Sequence, residues 1–125
     1  MIKLKYHKGA RAERELVSLL QSLGFLALRT PRSGGRTQPL PDVIAIKKGN
    51  IFFFECKNFA GKISLKKEQI ENLIKNAEKA GAFPLIAIKT KEGFKFIGAR
   101  DLKKRYINKE DIEKECFGIE FFQKF

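Results

Sequence analysis

Pro41-Asp42-Val43-Ile44-Ala45-Ile46, followed closely by Ile51-Phe52-Phe53-Phe54-Glu55-Cys56-Lys57, is the stretch that decides how this chain folds. Two apolar runs rich in β-branched and aromatic residues flank a turn at Lys48–Asn50, which predicts two strands, Asp42 to Ile46 and Ile51 to Lys57. Alternate residues of a strand share a face. Ile51, Phe53, Glu55 and Lys57 therefore lie on one side, and Phe52, Phe54 and Cys56 on the other. A two-residue turn at Lys48–Gly49 sets Asp42 opposite Glu55, and one at Gly49–Asn50 sets it opposite Lys57 and diagonal to Glu55. The two registers differ by an even number, so both keep Asp42, Glu55 and Lys57 on one face. A three-residue turn would break this arrangement, and the sequence leaves that open.

Working outward, Ala12, Leu16, Leu19, Leu20 and Leu23 recur at helical spacing and predict a helix over residues 9–23, ended by Gly24. Phe25 to Arg29 reads as a short strand. Thr30 to Pro41 reads as a loop, with Gly34, Gly35 and the bases Arg32 and Arg36. Leu65, Ile70, Leu73, Ile74 and Ala77 predict a second helix over residues 65–80. Ala82 to Lys89 and Phe94 to Gly98 read as strands, and residues 99–105 and 109–115 as short helices. This order describes an α/β chain with a mixed sheet and helices packed on it. Its 125 residues suit one domain, residues 1–125. Phe117, Phe121, Phe122 and Phe125 are too many aromatic residues for a free tail, so residues 117–125 are expected to pack on the domain or across a dimer interface.

The net charge is +12, and residues 101–125 carry six bases and six acids, so the whole excess lies in residues 1–100. A polyanion is the natural partner for such a field, and nucleic acid fits because phosphate neutralisation releases counterions. Two cysteines without a CxxC exclude a disulfide framework or a zinc site. Cys56 is expected in the core. No apolar run approaches the length of a membrane span or a signal h-region. The expectation is a soluble cytoplasmic protein without membrane contact, associated with the nucleoid.

Two carboxylates close together at the end of apolar strands repel each other unless a cation neutralises them. Mg²⁺ suits such a pair, because it takes one or two carboxylates and completes its shell with water and substrate phosphate. Such an ion lowers the pKa of a bound water and polarises the scissile phosphate. A lysine one strand step beyond the glutamate can orient that water or stabilise the pentavalent phosphate. Asp42, Glu55 and Lys57 thus predict a metal-dependent nuclease, although Glu-x-Lys alone is common in solvated strands.

Pro41-Asp42, twelve residues and then Glu55-x-Lys57 match the PD-(D/E)xK nuclease signature. With Lys8-Gly9-x-x-x-Glu13-Arg14, Ser33-Gly34 and Glu68-Gln69 around it, residues 7–100 resemble the archaeal Holliday junction resolvase family, Hjc. The resemblance implies a restriction-endonuclease-like fold, a homodimer, Mg²⁺ or Mn²⁺, and paired symmetric nicks across four-way DNA junctions in recombination and repair. It implies that Glu13 completes the metal site with Asp42 and Glu55, and that Ser33 acts near the scissile strand. Glu13 lies nearer the apolar stripe than Glu15, and the first turn of a helix favours a carboxylate. The resemblance makes Lys8, Arg11, Arg14 and Arg29 phosphate contacts. Arg32 and Arg36, in a flexible basic loop, could close over DNA. Gln69 stands where related nucleases place a glutamine beside the metal centre, and Lys62, Lys66 and Lys67 before it are placed to grip backbone phosphates.

His7 is the only histidine, which discounts a histidine-based nuclease. The tail weakly resembles a sliding-clamp-binding peptide, one residue short of that spacing. Rival readings are a restriction-like or repair endonuclease on another DNA structure, an RNA-processing nuclease, and a non-catalytic DNA-binding protein. The last gains nothing from Asp42, Glu55 and Glu13 beside phosphates.

Overall fold

The computed structural model of the chain describes residues 2–31 and 39–125, with residues 2–8 described in backbone only. Helix α1 spans Ile2–Ser22, and α2 spans Lys67–Ala80. The strands are β1 (Leu26–Arg29), β2 (Val43–Lys47), β3 (Asn50–Asn58), β4 (Lys62–Ser64), β5 (Phe83–Thr90), β6 (Gly93–Gly98) and β7 (Tyr106–Asn108). Helix α3 spans Lys109–Glu115, and 3-10 turns lie at Ala99–Asp101 and Ile119–Lys124. Five strands form one sheet in the order β1-β2-β3-β5-β6, while β4 and β7 pair separately. The β3–β5 pair is parallel and spanned by the α2 crossover; the other pairs of the main sheet are antiparallel, so the sheet is mixed.

Lys47 pairs with Asn50, which fixes the two-residue turn at Lys48–Gly49. Lys48 and Gly49 have φ of 49° and 84°. Positive φ at both central positions is the hairpin turn whose twist matches its strands, and glycine takes it without strain. The first of the two expected registers therefore holds, with Ile46 opposite Ile51 and Val43 opposite Phe54.

The alternation of β3 sorts the core into two layers. Phe52, Phe54 and Cys56 pack with Ala12, Leu16 and Leu20 of α1. Phe53 and Ile51 pack with Leu73 and Ala77 of α2 and with Ile63 and Ile107 of the small sheet. The aromatic tail completes the first layer. Phe122 is fully buried among Phe25, Phe52, Phe54 and Phe96, with ring centroids 4.8–6.2 Å away. Phe117 exchanges both backbone hydrogen bonds with Phe96. A tail handed to a sliding clamp would have to leave this core.

Four expectations need correction. Helix α1 begins at Ile2 rather than at residue 9, so Glu13 sits in its middle and owes nothing to a first-turn dipole. The ladder of β2 starts at Val43, leaving Asp42 at a bend rather than in the strand. Residues 99–105 do not form a helix beyond Ala99–Asp101. The short β4–β7 pair was not expected at all, because three-residue strands carry too little periodicity to read.

Candidate active site

The site lies where β1 ends, β2 begins and β3 runs toward its end, between α1 and α2. Asp42 is held there from three sides. Its N–H donates to the Phe54 carbonyl (2.8 Å), and its carbonyl accepts the Thr30 N–H (3.1 Å). Its carboxylate Oδ2 accepts the Cys56 N–H (2.8 Å). The β2–β3 register, continued one step, brings Asp42 level with Glu55. The bend therefore does not move the aspartate away; it turns the carboxylate onto the neighbouring strand.

Glu55 is buried at 7% exposure. Its Oε2 accepts the Gln69 Nε2–H (2.5 Å), and the Gln69 Oε1 accepts the Lys57 ammonium (2.9 Å). Only one orientation of the amide serves both partners, since a lysine offers only donors and a carboxylate only acceptors. Gln69 thus joins the two ends of Glu-x-Lys through α2, on the face that β3 turns toward that helix.

Glu13 reaches the same region from α1. It is buried at 4% exposure, and Oε1 accepts Arg29 Nε–H at 3.1 Å. A buried carboxylate needs such a partner, because desolvation without one is costly. Glu13, Asp42, Glu55 and Gln69 line one open cavity of about 490 Å³, with Asn72 and Asn76 on its α2 wall.

The donor set is all hard oxygen, as a Mg²⁺-like cation requires. Among the described residues, no three histidine, cysteine or acidic side chains form a ready cluster for an ion. Asp42 and Glu55, neighbours across β2–β3, are the pair that fits, with further positions left to water and phosphate. Glu13 lines the cavity but is engaged by Arg29.

The structure brings together Glu13, Asp42, Glu55 and Gln69 as the sequence suggested, with Lys57 attached through Gln69. Arg29, expected to contact phosphate, donates its Nε–H to Glu13. Arg11 and Arg14 are exposed on one side of α1. Lys62, Lys66 and Lys67 are exposed beyond the site. Ser33, Arg32 and Arg36, and the side chains of Lys8 and His7, lie outside the described residues. Two features escaped the sequence reading. One is the Glu13–Arg29 pair, which joins residues sixteen apart. The other is the amide row Gln69, Asn72, Asn76, whose helical spacing was legible but not used; Asn76 Nδ2 donates to the Pro39 carbonyl (2.8 Å).

A mixed sheet with a carboxylate-bearing β-hairpin, flanked by helices that each add a polar side chain, defines a restriction-endonuclease-like α/β domain. The profile of the archaeal Holliday junction resolvase (Hjc) matches residues 4–124, nearly the whole chain. This chain belongs to that family. It is 37% identical over 123 residues to the crossover junction endodeoxyribonuclease Hjc of Methanocaldococcus jannaschii, covering 95% of this chain and 87% of that protein. It is 38% identical over 87 residues to the crossover junction endodeoxyribonuclease Hje of Saccharolobus islandicus, a match spanning 67% of this chain and 64% of that relative's length. Archaeoglobus fulgidus Hjc, a Holliday junction resolvase, superposes with a TM-score of 0.83 at 25% identity, covering 91% of this chain and 99% of that one. Among the described residues, no helix is long and apolar enough to cross a membrane.

Proposed function

We propose that this chain is a metal-dependent endodeoxyribonuclease that resolves four-way DNA junctions by paired nicks, with Mg²⁺ as its cofactor and Mn²⁺ as a substitute. The observation that carries this reading is the convergence of Asp42, Glu55 and Gln69 on one cavity, with Glu13 at its edge. Asp42 and Glu55 would hold the ion, and Glu13 would complete the acidic set. When bound, the ion supplies an activated water and a polarised phosphate. Lys57, aimed by Gln69, presents its ammonium to charge developing on the phosphate. Ser33 acts beside the scissile strand, and Arg11 and Arg14 contact its backbone together with Lys8, Arg32 and Arg36.

A homodimer follows from the same reading. Helix α2 packs on β3 and β5, away from the edge strand β1. Leu26 and Leu28 on the edge strand β1 are 67% and 42% exposed, and half-buried Ile46 and Ile44 stand opposite them. Such a patch marks a protein contact, and a two-fold pair of sites matches the two-fold symmetry of a junction.

The test is cleavage of a labelled four-way junction with and without Mg²⁺, beside linear duplex and structured RNA. Mg²⁺-dependent, symmetric nicks confined to the junction are expected. Asp42→Ala should abolish cleavage and leave binding intact or tighter, since a negative charge facing phosphate is gone. A junction that binds but stays whole in Mg²⁺ or Mn²⁺ would make this a non-catalytic DNA-binding protein. Equal cutting of duplex would make it a restriction-like or repair nuclease.

A further inference from the structure

The balance of six bases and six acids in residues 101–125 conceals a separation in space. The segment from the 3-10 turn at Ala99–Asp101 to β7 folds back beside the start of α2: Ser64 pairs with Tyr106, and the Leu65 N–H donates to the Arg105 carbonyl (2.8 Å). This places Lys103, Lys104 and Arg105 next to Lys62, Lys66 and Lys67. Lys67, Arg100, Lys103, Lys104 and Arg105 rim one open depression of about 520 Å³, floored by Ile70, Ile74 and Leu102. Three of the cations in this region have acidic partners: Lys67 with Glu71, Arg100 with Glu78 and Lys104 with Asp111. Lys62, Lys66, Lys103 and Arg105 have no carboxylate within ion-pair distance among the described residues, and all four are exposed. Asp101, Asp111 and Glu115 share a separate, smaller cavity with Lys103 and Lys104.

Tyr106 compresses this field further. The Lys62 and Lys104 ammoniums lie 4.7 and 4.3 Å from its ring centroid, so the two charges are at most 9 Å apart. Lys104 already has Asp111 beside it, so Lys62 is the cation of this pair left for an incoming phosphate. The depression lies across α2 from the candidate active site: Lys67 and Ile70 face it, while Gln69 and Asn72 face the carboxylates. The separation is about one helix width, of order 10 Å. That offset is comparable to the major-groove width of B-DNA, about 12 Å, across which the two backbones of one arm lie.

We propose that Lys103 and Arg105, with Lys62 and Lys66, form a second phosphate track that grips the DNA arm flanking the cleaved strand. This rests on the junction-nuclease reading for the identity of the DNA, and it adds to the site residues two bases from the segment of balanced charge. Each phosphate neutralised contributes about 0.9 to the slope of log K against log salt. The test measures that slope in EDTA on a long-armed junction, a short-armed junction and a linear duplex. The double variant Lys103→Gln/Arg105→Gln should flatten the slope by about 1.8 on long-armed DNA and leave the short-armed slope unchanged. The charge-conserving pair Lys103→Arg/Arg105→Lys should keep the wild-type slope, which separates lost charge from a damaged fold. Identical slopes for wild type and the glutamine variant on every DNA overturn the proposal and would leave the patch to an acidic protein partner. Failure of the underlying reading looks different: the wild type would then bind junction and duplex equally, whatever the slopes.

Discussion

Replacing Gln69 by leucine keeps the volume and removes both ends of the bridge. The bond to Glu55 ends on a carboxylate that is 7% exposed, so water cannot readily take the amide's place. A hydrogen bond to a charged group contributes about 1.5–3 kcal/mol, and the buried end should lie in the upper part of that range. The bond to Lys57 ends on a half-buried ammonium that water can reach, so its loss costs less than about 1 kcal/mol. Leucine recovers part of this by packing beside Leu73. The net destabilisation is about 2–3 kcal/mol, or roughly 6–12 °C in Tm for a chain of this size. Thermal unfolding should be followed in EDTA, so that a bound ion does not mask the loss. Turnover of the Mg²⁺-loaded enzyme on junction DNA should fall about 100-fold through misplacement of Lys57 and Glu55, with KM little changed. Pairing Gln69→Leu with Glu55→Leu in a double-mutant cycle isolates the contact, and a coupling of at least about 1 kcal/mol is expected. If Gln69→Leu melts within a degree of wild type and cuts at the wild-type rate, the bridge does not position the site.

Phe122→Ala should cost about 3–5 kcal/mol, because a fully buried ring surrounded by other rings leaves a cavity that cannot collapse; calorimetry checks this, and a loss under about 1 kcal/mol would mean the tail is not part of the core. Asn108 caps α3 by accepting the Asp111 N–H (3.0 Å) while Asp111 accepts the Asn108 N–H (2.9 Å), so Asn108→Ala should lower stability by about 1 kcal/mol. The Asn108 N–H and then the Lys104 ammonium hold the Asp111 carboxyl below its ordinary value of 3.8. A depressed folded pKa gives stability that is present above the unfolded value and lost as pH falls through the folded one. Asp111→Asn should therefore flatten the acid limb of the stability profile below about pH 4, and an unchanged limb would remove this pair from the account. Burial pushes the Cys116 thiol up to about 11, so at neutral pH it should react with an alkylating agent far more slowly than a free thiol, and labelling at the free-thiol rate would contradict that burial.

The hairpin was legible because period-two alternation survives uncertainty about the turn: both admissible registers kept Asp42, Glu55 and Lys57 together. The two long helices and the two-sided sheet followed from the apolar spacing of Leu16, Leu20, Leu73 and Ala77. What the sequence did not disclose depends on contacts between distant elements. The Arg29 guanidinium faces Glu13 only because β1 runs back along α1. The resemblance set Gln69 beside the metal centre, but its bridge from Glu55 to Lys57 was not legible because both partners lie on another element. The bend at Asp42 was hidden for a related reason. Proline before it suggests a strand start, but the Cys56 N–H that captures its carboxylate is set by the tertiary pairing. The basic track beside Tyr106 was hidden by a net count, since the run Lys103-Lys104-Arg105 is cancelled on paper by the acids that follow it, and only the fold sets that run beside Lys62 and Lys66.

The Lys48–Gly49 turn lies some five residue pairs from Asp42, roughly 17 Å along the ladder, and touches nothing that reacts. It nevertheless governs the parity of the hairpin. With the turn kept at two residues, one inserted residue would rotate β3 by half a pleat, send Glu55 and Lys57 in among the phenylalanines of the α1 layer, and turn Phe52 and Phe54 toward α2. Two inserted residues would lengthen the tip and restore the original faces. Wherever the tip keeps a two-residue turn, only even changes in strand length preserve these faces: a remote loop acts as a check digit for the chemistry.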